Sequence, residues 1–146
     1  MVIIRRGRIA DMKDILDYMK DYHADSNMSD IYFDRLSASK IIEYYITHKD
    51  SLPLVAVEDE KIIGLLFGSL EPYFFNQKKN YATDLLFFSK GAGPQLWKKF
   101  KEWAFSVGAD RIIMGVSSGD ERAGQLLEAL GMNATGGMYE LRQEGS

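Results

Sequence analysis

Asp84-Leu85-Leu86-Phe87-Phe88-Ser89-Lys90-Gly91-Ala92-Gly93-Pro94 is the stretch that decides the reading of this chain. With Tyr81-Ala82-Thr83 before it, the run from Tyr81 to Phe88 is rich in aromatic and aliphatic residues and predicts a strand. Ser89 to Gly93 breaks that pattern. Beyond Pro94, Leu96, Phe100, Trp103 and Val107 fall on one helical stripe, with Trp97 and Ala104 beside it. Pro94 suits the first helical turn and Gly108 the C-terminal cap. Strand, glycine-bearing loop and helix in that order set free backbone N–H groups at the helix start, where the macrodipole is positive. Two glycines let an anion approach the backbone closely. The physical expectation is a phosphate or pyrophosphate site with Lys90 as an added cation. A tight turn without a ligand accounts for a bare G-x-G equally well.

Working outward, the segments alternate in type. Val2-Ile3-Ile4 reads as a first strand. Met12, Ile15, Leu16 and Met19 predict a helix over Asp11 to Tyr22, with Asp11 as its cap. His23 to Phe33 is polar and acidic and reads as a loop. Ala38, Ile41, Ile42 and Tyr45 predict a second helix, capped by Ser37 or Ser39. Leu52 to Val57 and Ile62 to Leu70 read as a hairpin around the turn Glu58-Asp59-Glu60-Lys61. Glu71 to Asn80 reads as a loop around Pro72. After the central helix come a strand over Arg111 to Val116 and a helix over Ser118 to Leu130. That helix carries Ala123, Leu126, Leu127 and Leu130 on one face and stops at Gly131. Met138 to Leu141 reads as a final strand. The order is β-α-α-β-β-β-α-β-α-β, a mixed α/β fold.

Composition bounds the function. The chain has 146 residues and 46% hydrophobic residues, which suits one domain over 1–146 with a full core. It has no cysteine, which excludes a disulfide framework, a thiol nucleophile and any cysteine-ligated metal. His23 and His48 lie outside metal-ligand spacing, so no metal is expected. The formal net charge of −3 gives no global pull toward nucleic acid or an anionic membrane. No apolar run reaches the roughly 18 residues of a membrane helix. A cytoplasmic location is the expectation.

Two familiar phosphate loops do not fit. G-x-x-x-x-G-K-[ST] is absent, and G-x-G-x-x-G fails because position 96 is Leu. The stretch instead resembles the GCN5-related N-acetyltransferase (GNAT) superfamily. In that family the fourth strand enters a loop Q/R-x-x-G-x-G/A, here Phe88-Ser89-Lys90-Gly91-Ala92-Gly93. A second family element, N-x-x-A-x-x-L-Y-x-x-x-G-F, matches Asp120-Glu121-Arg122-Ala123-Gly124-Gln125-Leu126-Leu127-Glu128-Ala129-Leu130-Gly131-Met132 without a gap. The resemblance is specific from Tyr81 to Met132 and topological elsewhere. Three departures stand out: Phe88 replaces Gln/Arg, Asp120 replaces Asn, and Leu127 replaces the frequent general-acid Tyr.

The resemblance implies a GNAT-like, mostly antiparallel sheet with a splayed V between strands 4 and 5. It implies direct transfer of an acetyl group from acetyl-CoA to a primary amine of a protein or small molecule. The backbone of Leu86, Phe87 and Phe88 would pair with the pantetheine arm. Ser89, Lys90, Gly91, Ala92 and Gly93 would cradle the pyrophosphate, and Asp120 and Ala123 would line the cofactor. Asp84, with an acid's place on the fourth strand, is the general-base candidate, its pKa raised by apolar neighbours. Tyr139 is a candidate acid or substrate contact. Lys98, Lys99 and Lys101 form with Lys90 a basic cluster that a solvated helix face explains as well. Asp25 and Asp30 would favour a cationic acceptor. The alternative is a catalytically inactive acyl-CoA-binding or structural module of the same fold. The final strand is an edge at which a second copy can pair, so a homodimer is among the expectations.

Overall fold

The computed structural model describes residues 1–115 and 121–144. The chain divides into two compact units, Met1–Gly115 and Val116–Ser146. The first unit holds one five-stranded sheet in the order β1-β2-β3-β4-β5. Its strands are β1 (Ile3–Arg6), β2 (Ser51–Glu58), β3 (Lys61–Tyr73), β4 (Asn76–Ser89) and β5 (Ala109–Ile113). All neighbours are antiparallel except β4 and β5. Helices α1 (Met12–Ala24) and α2 (Arg35–Thr47) follow β1, and α3 (Gly93–Ser106) links β4 to β5. The second unit contains α4 (Glu121–Ala129).

Residues alternate faces along a strand, so the sheet carries two apolar faces. Val55, Leu65 and Phe67 form one core cluster with Ile15 and Leu16 of α1 and Ile42 of α2. On the opposite face α3 buries Leu96, Trp97, Phe100 and Ala104. The two faces explain why Ser51 to Ala56 is buried at every position rather than at every second one. Two strand glycines leave room for α3. A Cβ on Gly68 would stand 2.2 Å from Phe100 Cε1, and one on Gly64 would stand 3.0 Å from Leu96 Cδ1, besides 2.6 Å from Ser89 Oγ of β4.

Most expected elements form, with differences that have physical causes. Glu71 to Asn80 is not a loop: β3 and β4 extend through it, pairing Glu71 with Tyr81 and Pro72 with Asn80. Pro72 sits beside a register irregularity, where a strand tolerates it. Packed rings of Tyr73, Phe75 and Tyr81 hold the hairpin's far end. Asp11 stands at the N-cap position of α1, but its side chain makes no capping hydrogen bond to the helix. Its carboxylate accepts from Arg5 at 2.7 and 2.9 Å and from the Arg8 backbone N–H at 2.7 Å. A short 3-10 turn, Ile9–Asp11, precedes the helix instead. The second helix starts three residues before Ala38, behind Asp34, and the Ser37 hydroxyl bonds the Asp34 carboxylate. The buried stripe of α3 turns toward Trp97, leaving Val107 40% exposed. Met138 to Leu141 is not a strand, and its apolar side chains are almost fully exposed. A strand that short is held by a ladder and by burial. It has neither here. Gly131 stops α4 as expected, with φ +95°. The turn at Asp59 and Glu60 also forms, with positive φ at both residues.

Candidate active site

The site is built on the carboxyl half of β4. β5 pairs with β4 only at Asn80, Ala82 and Thr83. β4 continues to Ser89, so among the described residues its β5-facing edge has no strand partner beyond Thr83. That leaves backbone N–H and C=O groups from Asp84 to Phe88 ready for an extended ligand. This is the opening between strands 4 and 5 that the fold class requires. The other edge of the same stretch pairs with β3, matching Leu86 with Phe67, Phe87 with Leu66 and Phe88 with Leu65. The register slips at one place: Gly68 faces Asp84 while Phe67 faces Leu86. Leu85 is therefore the extra residue of a β-bulge and is half exposed. Bulges re-aim side chains and terminate pairing, and this one adjoins Asp84.

Asp84 is half-buried at the head of the unpaired edge. Loss of solvent pushes its carboxyl up to about 6, while hydrogen bonds from the Gly115 backbone and its own N–H pull the other way. Its charge reaches the Tyr45 phenol. Burial chiefly holds that phenol above its ordinary value; Glu71 and Asp84 add to the rise, and the Ser69 hydroxyl opposes it. Ser69 is buried and donates to Glu71 Oε1 at 2.9 Å. A carboxyl raised to about 6 therefore lies within electrostatic reach of a tyrosine that also feels a buried serine and a second carboxylate.

The loop lies at the other end of the edge. Gly91 has φ +88°, and nothing lies within 4 Å of where its Cβ would stand. Lys90 N–H donates to the Ile63 carbonyl at 2.8 Å. Ser89 Oγ accepts from the Ala92 N–H at 2.9 Å. Leu96 N–H donates to the Ala92 carbonyl at 3.0 Å, so the N–H groups of Gly93 and Gln95 lie ahead of the helix's own bonds. Lys90 is exposed at the mouth of this loop.

One continuous segment thus brings together Asp84, Leu86, Phe87, Phe88, Ser89, Lys90, Gly91, Ala92 and Gly93. Their sequence proximity made this legible. Asp120 lies outside the described residues. Ala123 is half-buried on α4, and Leu127 is buried. Tyr139 is fully exposed and lies in no strand. Four residues of the site's surroundings escaped the sequence reading: Tyr18, Tyr22, Tyr45 and Ser69. Tyr18 and Tyr22 are four apart on α1 and both rings lie parallel to Phe88, at 5.6 and 3.7 Å between centroids. Their spacing was a signal of a shared face. Nothing in the sequence set their register against Phe88.

The model of the Acetyltransferase (GNAT) family matches residues 13–132. No curated protein matches the chain in sequence. Among solved structures, a transcriptional regulator from Bacillus halodurans C-125 is similar at 21% identity and a TM-score of 0.80, covering 98% of this chain and 100% of that one. An aminoglycoside acetyltransferase from an uncultured soil metagenomic sample, solved with sisomicin, is 14% identical with a TM-score of 0.74, over 99% and 97% of the two chains. A ribosomal-protein-alanine N-acetyltransferase from Brucella melitensis biovar Abortus 2308 is 14% identical with a TM-score of 0.73, over 98% and 99%. At these identities the neighbours establish the fold, and the family match adds a line of descent. The chain belongs to the GNAT family of acetyltransferases.

Proposed function

We propose that this chain transfers an acetyl group from acetyl-CoA directly to a primary amine. The observation that carries the reading is the unpaired edge of β4 from Asp84 to Phe88, which leads without interruption into the Gly91 loop at the start of α3. Acetyl-CoA fits the residues present on two grounds. The edge offers amide donors and acceptors to an extended amide-bearing arm. The loop combines open space above Gly91 with N–H groups at a helix start, where a pyrophosphate is stabilised. When bound, acetyl-CoA supplies an activated acetyl thioester.

The chain's own residues do the rest. Asp84 accepts the proton of the acceptor ammonium, directly or through water, so that a neutral amine attacks. Its value of about 6 keeps it mostly ionised at neutral pH and still basic enough to take a proton. A backbone N–H of the β4 edge donates to the thioester oxygen. The leaving thiolate takes its proton from solvent or from Tyr139, because Leu127 stands at the motif position where the family frequently carries a tyrosine. Tyr139 is the remaining candidate acid, and Tyr139→Phe tests it directly. The acceptor is a cationic amine: Asp84 and Glu71 both impose negative potential on the Tyr45 phenol beside them.

Calorimetric titration with acetyl-CoA, with dephospho-CoA as comparison, tests the reading. Micromolar, one-to-one binding that weakens without the 3′-phosphate is expected. No binding at millimolar concentration returns Gly91 and Gly93 to turn residues. The absent tyrosine at position 127 favours a second reading, a CoA-binding module without turnover. Binding with no acetylation across an amine panel would select it.

A further inference from the structure

The first position of the loop motif is Phe88, whose ring has no hydrogen-bonding group. The Ile63 carbonyl, on β3 beside the loop, receives three donors. Tyr18 Oη donates at 2.7 Å, Lys90 N–H at 2.8 Å and Ser89 Oγ at 3.4 Å. A carbonyl has two lone pairs, so Tyr18 and Lys90 fill it and the longer Ser89 bond is the weak one. Ser89 Oγ in turn holds the Ala92 N–H at 2.9 Å. The Phe88 ring is meanwhile stacked on α1, parallel to the rings of Tyr22 and Tyr18.

We propose that Tyr18, reaching from α1 to the Ile63 carbonyl, is a positioning residue for the phosphate-binding loop. This rests on the acetyl-CoA reading above. The Tyr18 hydroxyl and the Lys90 N–H share one acceptor, which fixes Lys90 against β3 and sets the turn that opens at Gly91. With Ile63 filled, the Ser89 hydroxyl is left to order Ala92 and to turn toward an arriving phosphate. The hydroxyl that steadies the loop thus comes from the first helix, while the motif's first position holds an apolar ring. The loop's shape is therefore tied to α1, whose last turn carries Tyr22 onto the same Phe88 ring.

Tyr18→Phe keeps the stacked ring and removes the hydroxyl. Two readouts are taken well below each variant's unfolding midpoint. One is acetyl-CoA affinity by calorimetry. The other is hydrogen exchange of the Lys90 and Ala92 amides in the protein alone. The expected result is about fivefold weaker affinity, the effect of one lost hydrogen bond, with faster exchange at both amides. The pH profile set by Asp84 should not move. Ser89→Ala supplies the second variant. Because Tyr18 acts by holding the turn from which the Ser89 hydroxyl orders Ala92, part of its effect disappears once Ser89 is gone, and the double variant should lose less affinity than the two single losses combined. Unchanged affinity and exchange in Tyr18→Phe, or simple additivity in the cycle, overturns the proposal. If the unaltered protein binds no acetyl-CoA, the cofactor reading fails instead, while faster Lys90 exchange in Tyr18→Phe still registers the tie.

Discussion

At the scale of single residues, Asp84 links burial to chemistry. A carboxylate at about 6 becomes a base when deprotonated, so kcat/KM should rise with pH through that value and level above it. Asp84→Asn should lower kcat/KM by about 10²- to 10⁴-fold, the usual worth of a positioned general base, and abolish the limb near pH 6. A limb that persists in the variant assigns the proton to another group. Gly68 makes a second residue-scale case. Its Cβ would fall 2.2 Å from Phe100 Cε1, inside any real contact distance. Phe100, on α3, is fully buried against the sheet, so its ring has nowhere to retreat. Gly68→Ala should cost about 1–3 kcal/mol, as overpacking does. A denaturant midpoint unchanged from the native protein would show that α3 slides without penalty.

At the scale of elements, local chemistry wrote most of the structure into the sequence, and non-local pairing withheld the remainder. The period of Met12, Ile15, Leu16 and Met19 was enough for α1, and Pro94 and Gly108 bracketed α3. The Gly91 loop was legible because its residues are neighbours in the chain. The hairpin arm from Glu71 to Asn80 was not, because Pro72 and the lysines are poor strand formers alone. They pair because each arm finds a partner and Tyr73, Phe75 and Tyr81 pack together. The slip at Leu85 belongs to two strands at once and leaves no mark in either. The same holds for Tyr45 and Ser69 around Asp84. Asp11 shows how tertiary context overrides a local cap: Arg5, on β1, offers its carboxylate a two-pronged partner. The guanidinium holds the Asp11 carboxyl below its ordinary value. Because that carboxyl is largely buried, Asp11→Ala should cost about 1–2 kcal/mol, measured by chemical unfolding at pH 7. A change below 0.3 kcal/mol, the scale of many exposed ion pairs, would mean that the Arg5 pair contributes little to holding the 3-10 turn on β1.

At the scale of the whole molecule, Asp11 and Asp84 give stability opposite dependences on pH. Asp11 is depressed in the folded chain, so its contribution is present at neutral pH and lost as pH falls through its folded value, below 3.8. Asp84 is raised from 3.8 to about 6, so the folded chain disfavours its charged form. Its penalty is complete above pH 6 and vanishes below about 4, where both folded and unfolded chains carry the proton. Between those limits acid should stabilise this site. Subtracting the unfolding free energy of the native protein from that of Asp84→Asn cancels the other carboxyls and isolates the effect. The variant should be more stable by about 1–3 kcal/mol at pH 7, and the advantage should shrink toward zero near pH 4. A gain in stability on removal of Asp84 would show that its burial does not serve folding, as expected of a carboxyl kept for the proposed reaction. A gap of zero at pH 7, or one that ignores pH, would mean that solvent reaches Asp84 freely. The pH–rate limb near 6 would then need another source.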